Sequence, residues 1–189
     1  MKKKQILPED GLNTTPIDAE LDQAQQEALQ QQEPESEDVA IKLDSRRDER
    51  CVAFYLCYSA DRFDYSISLD AIIKNFGLWF DVDISAHPFA VELARQAIDK
   101  RDELDVRVTP YLKNWRLERL GCCTRLILRL ALWELEQPDS VASIVINEAV
   151  ELAKTFAEKD AYKFVNGVLD EIHKKKQQEL ATSDENLQS

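Results

Sequence analysis

Glycine is scarce in this chain: Gly11, Gly77, Gly121 and Gly167 are the four in 189 residues. A fold of many tight β-turns draws on glycine at its left-handed positions, so a turn-rich β architecture is disfavoured. No glycine-rich cofactor loop can be built from them. Cysteine is sparse too. Cys51, Cys57, Cys122 and Cys123 form no C-x-x-C pair, and His87 and His173 lie far from them in sequence. That spacing argues against a metal site and for reduced, buried thiols in a cytoplasmic protein. Long apolar runs are missing, because Arg129 interrupts the longest, and no membrane span is expected. Met1-Lys2-Lys3-Lys4 opens like a secretory signal, but Pro8, Glu9 and Asp10 follow where an apolar stretch is required.

What is abundant is Ala, Leu, Glu, Gln and Lys, all of which favour helix. The formal net charge is -12, which taken whole argues against a nucleic-acid partner. Its distribution reverses that reading. Residues 1–45 hold four lysines against eleven acids, and 177–189 hold three acids and no base, leaving 20 bases and 22 acids in 46–176. The middle is near neutral and has room for a local basic patch.

Residues 1–44 are rich in Gln, Glu, Asp and Pro and have no aromatic residue, so the segment is expected to be disordered. It is either a solvated tail or a regulatory arm competing with anionic ligands for a basic patch beside it. Ser45-Arg46-Arg47-Asp48-Glu49-Arg50 opens the folded part, with Ser45 as N-cap and Val52, Ala53, Leu56 and Cys57 inward, to about Ser59. Arg46, Arg47 and Arg50 share the first turns as a compact cationic cluster. Cations there oppose the helix macrodipole. Either Asp48 and Glu49 pair with them locally, or a phosphate ligand removes the conflict.

Further helices are expected from Leu69 to Phe80, with Ile72, Ile73, Phe76 and Trp79 inward, and from Pro88 to about Arg101. His87, at the entrance of the latter, reads as a cap or surface residue. Leu104 to Trp115 reads as a short helix with Val108, Leu112 and Trp115 inward and Tyr111 at the rim. Residues 121–136 are apolar almost all round and make the central helix, which Pro138 ends. Ile146, Ala149, Val150, Ala153 and Phe156, then Phe164, Val165, Val168, Leu169 and Ile172, mark the two inner stripes of an αα-hairpin, with Asp160 placed to cap its second helix. Lys174-Lys175-Lys176 suits a helix C-terminus, and 177–189 reads as a disordered tail.

The wording of that hairpin is specific. Ile-Asn-Glu-Ala-Val-Glu-Leu-Ala-Lys (Ile146 to Lys154) and Lys-Phe-Val-Asn-Gly-Val-Leu-Asp (Lys163 to Asp170) resemble the C-terminal signature of the NusB family of bacterial transcription antitermination factors. Arg46-Arg47-x-x-Arg50-x-x-Ala53 leading to Tyr58, Pro110-Tyr111-Leu112, and Ile127 to Leu135 are similar to its first helix and its middle. The resemblance spans Ser45 to Ile172, about two-thirds of the chain.

The resemblance implies an all-α, NusB-like fold of about seven helices in two packed bundles over residues 45–176, with no enzymatic activity, metal or cofactor. It implies binding of boxA-type single-stranded RNA with the ribosomal protein NusE, and entry into RNA polymerase complexes, notably on ribosomal RNA operons. By position, Arg46, Arg47 and Arg50 are its RNA-backbone contacts. Tyr111, Asp160, Lys163 and Phe164 are the rest of the RNA surface, and Tyr58, Glu118 and Thr124 the NusE face. Cations neutralise phosphates and aromatic rings carry splayed bases, so these residue types fit that ligand. Phe164 and Tyr111 each read equally as packing residues, and Asp160 as a cap or as a residue that weakens RNA affinity. Asp48 stands where the family is often basic, and Thr124 where an acid commonly faces the partner. A ribosomal RNA cytosine methyltransferase with a NusB-like N-terminal domain is not expected: the chain has no glycine-rich cofactor loop and no cysteine beyond Cys123. A homodimer that hides the arginine surface is the remaining alternative.

Overall fold

The computed structural model describes residues 43–113 and 115–187. The extension read as disordered lies, to residue 42, outside the described residues. Seven α-helices and no strand are found among the described residues. No helix among them is long and apolar enough to cross a membrane.

Helix α1 (Arg46–Arg62) starts where expected. The Ser45 hydroxyl accepts the Asp48 N–H at 3.2 Å and donates to the Asp48 carboxylate at 2.6 Å, a reciprocal cap. Val52, Ala53, Leu56 and Cys57 are buried, and burial pushes the Cys57 thiol up to about 12. The helix ends in a left-handed turn at Asp64 and Tyr65, φ 48° and 56°.

Helix α2 (Leu69–Phe80) is capped by Ser68 and buries Ile72 and Phe76. Trp79, expected inward, is 84% exposed. Phe80, in the same last turn, keeps its ring 4.6 Å from that of Phe76 but is itself 37% exposed. Helix α3 (Pro88–Asp99) has proline in its first turn and a buried face of Ala90, Leu93, Ala94 and Ala97 that packs on α1.

Helix α4 (Arg101–Val108) is shorter and earlier than expected. Pro110 has no N–H and its ring crowds the preceding turn, so the chain passes into a 3-10 turn, Thr109–Tyr111. Leu112 stays buried, but Trp115 leaves the stripe expected of it and is 57% exposed.

Helix α5 (Cys122–Leu135) is the hub, touching α1, α3 and α4 as well as α6 (Ala142–Phe156) and α7 (Ala161–Leu187). Leu126 to Leu128 and Leu130 to Trp133 are all buried. Arg129 is buried in their midst and reaches Asp105 of α4 twice, at 2.7 and 2.6 Å, and Tyr65 Oη at 2.9 Å. Burial works against its charge, yet the Asp105 carboxylate keeps its pKa above the ordinary value. Tyr65 in turn donates to Asp61, which also receives Cys122 and Arg125. This network pins the end of α1 to α5.

The α6–α7 hairpin closes as the two stripes require, Ile146, Ala149 and Ala153 on one side and Val165, Val168 and Leu169 on the other. Phe156 stacks on Phe54 of α1 at 4.6 Å. Lys176 Nζ donates to the Leu135 carbonyl at 3.0 Å, so this one lysine of the run serves the C-terminus of α5. Helix α7 continues to Leu187, through residues read as a tail from 177. Gln177-Gln178-Glu179-Leu180-Ala181 holds good helix formers and no breaker, which accounts for the difference.

Candidate nucleic-acid interface

The arginines of α1 do not form one exposed cluster. Arg46 and Arg47 point outward, their side chains 65% and 55% exposed, whereas Arg50 is 11% exposed. Each has its own carboxylate. Arg46 meets Glu49 at 2.6 Å, and Arg47 grips Glu148 of α6 through two bonds of 2.9 and 2.7 Å. Arg50 grips Glu134 at the end of α5 through two bonds of 2.9 and 2.5 Å. Glu148 is held below the ordinary carboxylate range by its bonds to Arg47. Burial opposes the charge of Arg50, but Glu134 more than offsets it. Acids from three helices therefore resolve the conflict between these cations and the α1 dipole. Arg50, expected among the RNA-backbone contacts, is thus largely buried against Glu134 and joins two helices.

Arg46 also lies over the Phe89 ring, 4.5 Å from its centre, with Arg50 at 5.4 Å. Glu49, shared by Arg46 and His87 Nδ1 (3.3 Å), completes the corner. The guanidinium groups of Arg46 and Arg47 are held in place, and an anion approaching them would compete with Glu49 and Glu148.

The second group gathers around the first turn of α7. Phe164 is half-buried and its ring leans on Trp115 at 5.8 Å and 59°. Tyr111, half-buried on the 3-10 turn, has Lys175 Nζ 5.8 Å from its ring centre. A groove of about 320 Å³ runs between Tyr111, Lys113, Trp115, Lys163 and Phe164. Asp160 holds the turn before α7 with φ 66°, and its carboxylate pairs with Lys163 Nζ at 2.8 Å. The pairing raises the Lys163 pKa and draws charge away from any nearby phosphate.

Of the residues assigned to the partner face, Tyr58 is 38% exposed beside Phe54, and Glu118 is exposed on the 3-10 turn Leu117–Arg119. Thr124, expected on the same face, is 3% exposed. Its hydroxyl donates to Glu158 at 2.8 Å. Glu158 lies across Gly121, where a Cβ would fall 1.4 Å from its Oε1, and so sets a carboxylate on the N-terminus of α5. Arg50 at Glu134 and Glu158 at Thr124 mark opposite ends of α5, ten residues or about 15 Å apart.

A family model described as the NusB family matches residues 47–174. The chain belongs to the NusB family. Among NusB proteins, that of Geotalea uraniireducens is 38% identical over 137 residues, covering 69% of this chain and 94% of its own. That of Macrococcus caseolyticus is 51% identical over 88 residues, covering 47% and 68%. In structure, T. maritima NusB matches with a TM-score of 0.60 at 31% identity, over 69% of this chain and 91% of its own. A structure of the antitermination factors NusB and NusE in complex with double-stranded RNA contains a chain matching with a TM-score of 0.58 at 27% identity, over 70% and 98%.

Sequence reasoning misses Glu134, Glu148 and Glu158 because each answers a residue 34 to 101 positions away. It places Trp115 inside, and the signal that would have moved it is Pro110.

Proposed function

We propose that this NusB-family chain is a transcription antitermination factor. It binds boxA-type single-stranded RNA together with NusE and joins RNA polymerase elongation complexes in the cytoplasm, notably on ribosomal RNA operons. Its work is binding and not catalysis. The observation that carries this reading is the pair of outward arginines, Arg46 and Arg47, on a chain whose fold covers 98% of a chain in the complex of NusB, NusE and RNA. Fixed guanidinium groups suit the planar, bidentate recognition of phosphate. Aromatic rings at the far end of α5 suit bases splayed from a single strand. A footprint from Arg46 past Glu158 spans the length of α5, which requires several nucleotides.

The test is fluorescence anisotropy of a labelled boxA-type RNA at two salt concentrations, with the chain alone, with NusE, and with an Arg46→Ala/Arg47→Ala variant. Binding that tightens with NusE, weakens with salt and is lost in the variant is expected. No binding in any mixture overturns the reading.

A further inference from the structure

We infer that Trp115 is a base-stacking residue, taking a nucleobase of single-stranded RNA next to the one carried by Phe164. This rests on the RNA-binding reading above and adds to it a residue that the family's positions did not assign. A lone exposed aromatic ring signifies little. Trp115 differs in three respects. It is 57% exposed yet supported, with the Phe164 ring 5.8 Å away and tilted by 59°. It and Phe164 form the common wall of two grooves. One, of about 320 Å³, opens towards Tyr111 and Lys113, and the other, of about 490 Å³, towards Arg119, Gly121 and the turn at Lys159. A strand crossing from one groove to the other passes over the indole. Finally, cations stand at its rim: Lys113, Arg116, Arg119, Lys159 and Lys163 are exposed around it, with Lys163 paired to Asp160 and Lys113 to Glu171, and Glu158 and Asp160 also line the larger groove.

An aromatic platform with cations at its rim suits single-stranded nucleic acid, since every base has a π-face and every phosphate a charge. Trp79, the other strongly exposed indole, lacks that rim, standing between Leu78 and Phe80 with Asp81 next.

The test uses the full chain with NusE and boxA-type RNA. Trp79→Phe leaves Trp115 as the only exposed tryptophan, because Trp133 is buried. In that background, titration with RNA quenches the remaining exposed fluorescence. Trp115→Ala weakens RNA binding about 5- to 100-fold, while Trp115→Phe keeps most of the affinity. The salt slope is the same in all three, since no phosphate contact is removed. Circular dichroism of Trp115→Ala checks that the fold is intact. RNA affinity unchanged in Trp115→Ala, or fluorescence unchanged by bound RNA, overturns the inference and leaves the function standing. A loss of NusE binding measured without RNA, at unchanged RNA affinity, overturns it in favour of a protein-facing role. No RNA binding by the unaltered chain overturns both.

Discussion

Arg50 and Glu134 face each other through two hydrogen bonds, at 2.9 and 2.5 Å, with both side chains about nine-tenths buried. The pair joins the first turns of α1 to the last turn of α5, so an arginine that sequence groups with Arg46 and Arg47 instead connects two helices. Removing one member of a buried pair leaves the other charged and uncompensated. Arg50→Ala is therefore expected to destabilise the fold by about 3–5 kcal/mol. Arg47→Ala, at a solvent-exposed pair, is expected to leave the melting temperature nearly unchanged and to lower the slope of log K for RNA against log salt by about 0.7. Thermal melts and salt-dependent anisotropy on both variants check the division; equal stability losses would defeat it.

Asp48 presents two effects of opposite sign. Its charge stands one residue from Arg47, where it opposes phosphate, and its carboxylate completes the cap with Ser45. Asp48→Arg is expected to tighten RNA binding and steepen its salt dependence, at a cost of roughly 1 kcal/mol from the weakened cap. Anisotropy and urea melts separate the two. An unchanged affinity places this position off the RNA path.

The helices are legible because their core faces repeat at helical spacing. Ile146, Ala149 and Ala153 against Val165, Val168 and Leu169 need no knowledge of a partner element to be seen. The near-total burial of residues 126–133 follows from the lack of any polar face. Trp115 departs from its expected place for a local reason, the early end of α4 before Pro110, and Trp79 because it lies past Phe76, the last buried residue of α2. Arg50 and Thr124 are largely buried for a different reason. Arg50 looks like Arg46 and Arg47 in sequence, and only the fold brings Glu134, 84 positions away, against it. Thr124 is likewise explained by Glu158, 34 positions away. Charge pairing across a fold leaves no periodic trace, so the site is less legible than the scaffold.

Glu158 supplies a carboxylate above the buried Thr124, where the resemblance calls for an acid facing NusE. Glu158→Gln is expected to weaken NusE binding several-fold with little effect on RNA bound by the chain alone. Gly121→Ala is expected to produce a similar loss by displacing the same side chain, since its Cβ would fall 1.4 Å from Glu158 Oε1. Titration calorimetry on both single variants and the double variant checks this: a shared cause gives losses that do not add.

Acid sensitivity is expected at Asp61. Burial alone would raise its pKa, but bonds from Cys122, Tyr65 and Arg125 more than offset this and hold it below the ordinary aspartate value. The unfolded chain therefore takes up this proton first as pH falls. The stabilisation is complete above the ordinary carboxylate range and is lost as pH drops through the lower folded value. Asp61→Asn is expected to be less stable at pH 7 and to lose less on going to pH 3 than the unaltered chain. Urea midpoints at the two pH values decide; parallel losses would place the acid-sensitive group elsewhere.

The acidic start of the chain joins α1 next to Arg46 and Arg47. Residues 1–45 carry four lysines and eleven acids, a balance of -7 on a segment tethered to the arginines that phosphate must reach. Tethering raises the local concentration of carboxylates there, while Glu49 and Glu148 already pair with the same cations. Removing residues 1–44 is therefore expected to tighten RNA binding at low salt. Because the competition is electrostatic, the gain shrinks as added salt screens it. Anisotropy of the truncated and full-length chains from low to high salt reads this directly. Curves that coincide at low salt would mean the extension does not reach the arginines, and a constant offset at all salt concentrations would mean it acts by some means other than charge.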